Sequence, residues 1–150
     1  MKLKFLIALI SGLVISIHSF GQIQNPVHWS NMVKKTDADN AVIYIRATID
    51  PGWHIYSTDM PDGGPVKTSF TFGKSADYEL NGNIEEPAPL IKQEAVFKMQ
   101  VRYFEKEVIF QQKIKLNGHS TIIKGHIKFM SCTDKQCLPP DDVAFSIPVK

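Results

Sequence analysis

The stretch TIIKGHIKFM at residues 121–130 decides the fold class of this chain. Its apolar residues alternate with polar ones: Ile123, Ile127 and Phe129 share one parity, and Gly125 lies between Ile123 and Ile127. Successive side chains of a β-strand point to opposite faces of a sheet, so a strand with one buried face shows this alternation. We therefore predict a half-buried strand at this position.

The same alternation recurs along most of the chain. Predicted strands cover residues 41–50, 53–57, 67–72, 96–104, 108–116, 121–130 and 143–149. The strands at 96–104 and 108–116 are predicted to be neighbours joined by a charged turn, and Gly and Pro mark loops at 59–65 and 85–89. Residues 22–40 leave room for one short helical turn. Short alternating runs separated by turn residues predict an all-β fold, an antiparallel sandwich or barrel.

Residues 1–21 have the pattern of a secretory signal peptide. A basic start at residues 1–4 precedes an uncharged apolar run at 5–17, and small residues, Ser19 and Gly21, stand before Gln22. A membrane span requires about 20 apolar residues, and this run is shorter. We expect cleavage after Gly21 and an exported single domain at residues 22–150, with an uncleaved anchor as the alternative.

The charge of the chain excludes one class of partner. The formal net charge of +2 includes Lys2 and Lys4, and without residues 1–21 the chain has 15 basic and 15 acidic residues. Such a neutral domain lacks the basic field that binding to phosphate backbones requires. We therefore expect no nucleic-acid partner.

The two cysteines lie in the segment FMSCTDKQCLPP at residues 129–140. One predicted strand ends before Cys132 and another begins after Cys137, so the pair would face each other if these strands are antiparallel. Cα atoms of antiparallel partners lie about 4.5–5.5 Å apart, and a disulfide spans about 4.4–6.8 Å. The spacing therefore permits a cross-strand disulfide.

The role of this pair stays open on spacing alone. A disulfide that closes so short a loop contributes only about 2 kcal/mol to stability, which makes it a poor staple and favours a labile redox pair. A structural staple in an exported binding module is the competing interpretation. No second Cys or His pair completes a zinc site, and no nucleophile elbow or pair of acids indicates a hydrolase.

Three segments carry a resemblance to a known family. They are GWHIY at residues 52–56, the stretch from Tyr103 to Phe110, and CTDKQCLPP at residues 132–140. Together they resemble the N-terminal periplasmic domain of the thiol:disulfide interchange protein DsbD, over roughly residues 25–150. The resemblance implies an immunoglobulin-like β-sandwich in the periplasm that uses no cofactor and no metal.

The resemblance also implies roles for the site residues. Cys137 would form mixed disulfides with partners and Cys132 would resolve them. His54 and Tyr56 match two tyrosines that flank the family's site, and the segment of Tyr103 and Phe104 matches an aromatic cap over the cysteines. Without the resemblance, these aromatics would be ordinary core or strand residues.

The implied function is that of a thiol–disulfide exchange carrier. Family members pass electrons from a thioredoxin-like protein, supplied by a membrane electron transporter, to periplasmic disulfide isomerases and cytochrome-maturation thiol proteins. No transporter or thioredoxin-like domain follows on this chain, so we expect a monomer whose donor is a separate protein. The loop between the cysteines is one residue shorter than in the best-known member. Val101 and Arg102 stand where that member has acidic residues.

Overall fold

The computed structural model describes residues 24–118 and 120–150, so the predicted signal peptide at residues 1–21 lies outside the described residues. The described residues form eleven β-strands: β1 (Val27–Lys35), β2 (Asn40–Ile49), β3 (His54–Tyr56), β4 (Ser69–Phe72), β5 (Tyr78–Glu85), β6 (Leu90–Glu94), β7 (Met99–Phe104), β8 (Glu107–Leu116), β9 (Thr121–Phe129), β10 (Ser131–Cys132) and β11 (Asp141–Val149). In this part of the chain no helix is long and apolar enough to cross a membrane.

The strands assemble into three hydrogen-bonded sheets, and every pairing is antiparallel. Their orders are β1-β2-β8-β5, β10-β3-β7-β6 and β11-β9-β4. The strands predicted at residues 121–130 and 143–149 form the β9–β11 hairpin, which leads into and out of the cysteine segment. The predicted all-β antiparallel class is confirmed.

Four of the described strands were not predicted from the sequence, and all four lie at the edge of a sheet. They are β1, β5, β6 and β10, and β10 has only two residues, too few to show an alternation. The short helical turn considered for residues 22–40 is wrong, because β1 pairs with β2 over its whole length. An edge strand is held by hydrogen bonds to one neighbour and exposes most of its side chains, so its sequence does not need strict alternation.

The relation predicted for residues 96–104 and 108–116 is also wrong. The strands β7 and β8 follow each other through a tight turn at Glu105 and Lys106, yet they belong to different sheets. Both edges of β8 are occupied, by β2 and β5, and both edges of β7 are occupied by β3 and β6. The turn, in which Lys106 has a φ of 67°, therefore carries the chain from one sheet to the other.

The main core lies between the sheets and is centred on Phe110 of β8. The Phe110 ring lies 4.9 Å from that of Phe70, 5.9 Å from that of Phe104 and 6.2 Å from that of Trp29. Phe110 is fully buried, together with the inward residues of β2, β8, β9 and β11. The apolar residues whose alternation predicted these strands therefore form their inward faces, which pack in the core.

Strand β3 is buried on both faces, and a second, smaller cluster of buried residues lies on the face opposite the main core. Ile55 packs in the main core, whereas Tyr56 belongs to a smaller cluster on the opposite face. We call this smaller group the site cluster; its buried members are Tyr56, Met60, Val101 and Cys132. The sheet β10-β3-β7-β6 thus has the main core on one face and the cysteines on the other.

Candidate redox site

Cys132 and Cys137 form a disulfide across a short hairpin, as their spacing permitted. Thr133 N donates to Gln136 O at 2.7 Å and Leu138 N donates to Ser131 O at 2.9 Å, and these bonds flank the cysteines on both sides. The cysteines are therefore a non-hydrogen-bonded antiparallel pair, the position at which facing side chains approach most closely. Their Cα atoms are 4.0 Å apart.

The four residues between the cysteines form a compact turn organised by Thr133. Its Oγ1 accepts hydrogen bonds from the backbone N–H groups of Lys135 at 3.2 Å and Gln136 at 3.1 Å. Serine and threonine side chains often stabilise turns in this way. The turn, which we call the cysteine loop (residues 133–136), thus holds the two cysteines opposite each other from outside.

The two sulfur-bearing residues differ in burial. Cys132 has a relative exposure of 0% and packs in the site cluster, whereas Cys137 is half-buried and packs against that cluster from its rim. Cys132 is held in place by pairing with His54 of β3, but Cys137 follows the exposed cysteine loop. An approaching thiol would therefore meet Cys137 first.

His54 and Tyr56 lie beside the disulfide, on the face of β3 that carries the site cluster. His54 is the cross-strand partner of Cys132, and its Nε2 lies 3.2 Å from Tyr56 Oη. Burial lowers the pKa of His54, and the positive charge of Lys92 lowers it further, against the opposing effect of Glu94. Burial, together with Glu94, raises the pKa of Tyr56. Both shifts favour the uncharged form of the side chain.

Of the two aromatics in the predicted cap segment, only Tyr103 lies on the side of the cysteines. It is partly buried against the site cluster, and its ring is 5.3 Å from that of His54. Phe104 points to the opposite face of β7, where it is buried in the main core against Phe110. Adjacent residues of a strand face opposite ways, so the two could not both cover the disulfide.

The β6–β7 hairpin curls back over the site. Tyr56 pairs with Tyr103 in the sheet, yet its ring also contacts that of Phe97, six residues earlier in the turn of the hairpin, at 6.5 Å. Near the same turn, Glu94 Oε2 approaches His54 Nε2 to 3.5 Å. In a flat sheet, Phe97 and Glu94 would lie several residues along the strand direction from Tyr56 and His54. Each residue advances about 3.3 Å, so these side chains could not meet. The hairpin therefore acts as a cover for β3.

Lys92 of this hairpin is a site residue that the sequence analysis missed. Its Nζ lies 2.9 Å from Asp134 Oδ1 in the cysteine loop, 3.2 Å from Glu94 Oε2 and 4.9 Å from the centre of the Tyr103 ring. Burial alone would lower the pKa of Lys92, but the interactions with the carboxylates of Asp134 and Glu94 outweigh it and raise that pKa. In return, Lys92 lowers the pKa of Asp134. No local signal indicates this contact, because Lys92 and Asp134 are far apart in the sequence.

Glu94 is the second missed residue and is buried almost completely. Its Oε2 is within ion-pair distance of Lys92 and His54, but neither contact has the alignment of a hydrogen bond. A carboxylate at this depth requires a cation, because burial of an unpaired charge is very costly. Lys92 is the cation that the fold supplies.

The two positions at which the chain departs from the family pattern have other tasks. Val101 is fully buried in the site cluster. Arg102 faces away from it and binds Asp59 Oδ2 at 2.5 Å, which fastens the loop at residues 59–65 to β7. Among residues 24–118 and 120–150, no group of three His, Cys, Asp or Glu side chains could hold a metal ion.

The fold and the site define the class first: an all-β, immunoglobulin-like domain of antiparallel sheets with one cross-strand disulfide at the end of a sheet. The family follows from a sequence comparison. The chain belongs to the family described as the N-terminal domain of the thiol:disulfide interchange protein DsbD, whose model matches residues 26–148. Members of this family take part in thiol–disulfide exchange. A comparison with curated protein sequences gave no match.

Solved structures share the fold at low sequence identity. The N-terminal periplasmic domain of ScsB from Proteus mirabilis is 17% identical with a TM-score of 0.62, over 82% of this chain and 46% of that chain. The reduced DsbD N-terminal domain of Neisseria meningitidis is 16% identical with a TM-score of 0.55, over 79% of this chain and 83% of that one. The DsbD N-terminal domain in its complex with the PilB N-terminal domain, also from N. meningitidis, is 14% identical with a TM-score of 0.53, over 83% and 87% of the two chains.

Proposed function

We propose that this domain is an exported thiol–disulfide exchange carrier, which passes electrons through Cys132 and Cys137 between separate thiol proteins. The observation that carries the proposal is the asymmetry of the disulfide. Cys132 is buried in the site cluster, and Cys137 is half-buried beside an exposed loop. Exchange requires one sulfur that a partner can reach and a second sulfur that can resolve the intermediate, and this arrangement provides both.

The exchange chemistry assigns a task to each sulfur. A thiolate of a reduced donor attacks Cys137 Sγ, a donor–Cys137 bond forms, and the Cys132–Cys137 bond breaks with its electron pair on Cys132 Sγ, which takes up a proton. The donor's second thiolate then attacks the donor's first sulfur and releases Cys137 as a thiolate. The donor leaves as a disulfide and the domain is reduced by two electrons. The same steps in reverse reduce an acceptor disulfide.

The relatives support a proposal about the partners and the compartment. The structure of the complex from N. meningitidis shows a family member bound to another protein domain, and the relative from P. mirabilis is a periplasmic domain. We infer that this chain is likewise periplasmic, after removal of residues 1–21. Its donor would be a thioredoxin-like protein linked to a membrane electron transporter on separate chains, and its acceptors would be disulfide isomerases or cytochrome-maturation thiol proteins.

Trapping of mixed disulfides tests the roles of the two cysteines. Incubated with an oxidised thioredoxin-like protein, the reduced Cys132→Ser variant should accumulate a stable mixed disulfide through Cys137, because no second thiol remains to resolve it. The reduced Cys137→Ser variant should trap at least about tenfold less, because Cys132 is fully buried. Non-reducing electrophoresis with mass spectrometry measures both adducts.

Two outcomes would overturn the proposal. Better trapping by Cys137→Ser would reverse the assignment of the cysteines. No trapping by either folded variant, with a reduction potential of the wild-type pair below about −300 mV, would identify the disulfide as a staple in a binding module. A carrier should have a higher potential, nearer to those of the oxidoreductases.

A further inference from the structure

Lys92 connects the β6–β7 hairpin to the cysteine loop. The side chain is 22% exposed and extends from β6, in the hairpin that curls over β3. It reaches Asp134 in the cysteine loop, Glu94 on its own strand and the face of the Tyr103 ring on β7. One ammonium group thus joins the two strands of the β6–β7 hairpin to the cysteine loop, which lies about 40 residues further along the chain.

Each of these contacts holds a different part of the site in position. The bond to Asp134 ties the hairpin to the loop between the cysteines, and the contact with the Tyr103 ring holds that ring against the site cluster. Glu94, being buried, fixes Lys92 itself. Backbone pairing does not supply the same link, because β6 lies at one edge of its sheet and β10, which bears Cys132, lies at the other.

We propose that Lys92 is a positioning residue that holds the β6–β7 hairpin closed over the Cys132–Cys137 disulfide and so limits the access of thiols to Cys137. The inference rests on the proposed function, in which thiol access to Cys137 starts the exchange. A partner would open the cover by displacing Asp134 or Tyr103 from Lys92. Since the Asp134 carboxylate is 89% exposed, the contact that gives way first is the one with the cysteine loop.

The test is the rate at which dithiothreitol reduces the oxidised protein. Lys92→Met keeps an unbranched side chain that is only one atom shorter, and it removes the charge. It should be reduced about fivefold faster than the wild type, because one ion pair and one cation–π contact no longer hold the cover. The attacking thiolate is an anion, so loss of a positive charge by itself would slow the reaction. A faster reduction of Lys92→Met would therefore show that the hairpin has opened.

Matched variants separate the effect of Lys92 on the closed hairpin from general effects of charge. Lys135→Met removes a charge from the cysteine loop itself, where the side chain is exposed and forms no ion pair with any described residue, and it should show no acceleration. Lys92→Arg should stay close to the wild-type rate, because it keeps the charge. Raising the salt concentration should speed reduction of the wild type but not of Lys92→Met, since salt screens an ion pair.

Equal rates for the wild type and Lys92→Met would overturn the inference, as would equal acceleration in Lys135→Met. If Lys92→Met does not fold, Asp134→Asn takes its place, because that side chain is exposed and its loss breaks only the contact with the cysteine loop. This variant is reduced with an uncharged phosphine, because loss of a carboxylate would by itself speed attack by an anionic thiolate. It should still be reduced about two- to threefold faster than the wild type, and no acceleration there refutes the inference. Neither reductant requires a protein partner, so this result is independent of the trapping experiment on Cys132 and Cys137.

Discussion

At the scale of single residues, His54 shows how burial sets the state of the site. Its ring is enclosed by Tyr56, Tyr103 and Glu94, and little of it reaches solvent. Desolvation, the largest effect, and the positive charge of Lys92 together lower the pKa of His54 more than the nearby carboxylates raise it. A positive charge on this ring would have to be accommodated next to Lys92, so the native fold resists protonation of His54.

This burial predicts that the protein loses stability as the pH falls from 7 to 5. The pKa of His54 is lowered in the folded state, so below about 6.5 the unfolded chain binds a proton that the folded chain resists, which favours unfolding. Urea unfolding at several pH values measures the slope. The slope should shrink in His54→Gln and stay at the wild-type value in His28→Gln, whose side chain is 59% exposed. Identical slopes in all three proteins would contradict the prediction.

At the scale of elements, Gly125 allows three strands to pack closely. It lies in β9 between β4 and β11, opposite Phe72 and Phe145. A Cβ at this position would lie 2.1 Å from Thr71 O and 2.4 Å from Phe145 Cζ. Backbone oxygen atoms cannot yield by that much, so this strand requires a residue without a side chain.

Gly125→Ala should therefore destabilise the domain, by about 1–3 kcal/mol, as overpacking of a well-packed site does. Gly118→Ala is the matched control, because a Cβ there meets nothing within 4 Å. Denaturant unfolding of both variants gives the two free energies. A Gly125→Ala variant as stable as Gly118→Ala would show that β4 and β11 can move apart at little cost.

At the scale of the whole molecule, the core and not the disulfide supports the fold. The fully buried side chains come mainly from β2, β8, β9 and β11, and the disulfide lies outside this group, at the end of the β10-β3-β7-β6 sheet. It joins residues that are already adjacent in a hairpin. Closure of such a short loop removes little entropy from the unfolded chain.

Reduction of the disulfide should accordingly leave the protein folded. We expect the free energy of unfolding to fall by about 2 kcal/mol or less, as the chain-entropy relation gives for a loop of this length. Circular dichroism with and without reductant, followed by urea unfolding, measures the change. The Cys132→Ala/Cys137→Ala double variant serves as a reference without thiols. Loss of the β-sheet spectrum on reduction would show that the bond is a structural staple.

Sequence reasoning alone found the strands that bury one face in the core, and it found the disulfide. Strands such as β2, β8, β9 and β11 have one face in the core, so their apolar residues alternate in the sequence and reveal them. The pairing of Cys132 with Cys137 was accessible because it is local: a hairpin brings residues five apart to facing positions. The family resemblance, which the comparison confirmed, rested on the same local segments.

Three features could be found only from the tertiary structure: the exposed edge strands β1, β5 and β6, the sheet to which β7 belongs, and the cover over the site. Edge strands such as β1 and β6 depend on hydrogen bonds from a neighbour, which leave no pattern in their own side chains. The contacts of Lys92 with Asp134 and of Glu94 with His54 join residues about 40 positions apart. Such contacts follow from the way a hairpin curls over a sheet, and curling is set by packing across the whole domain and not by any local run of residues.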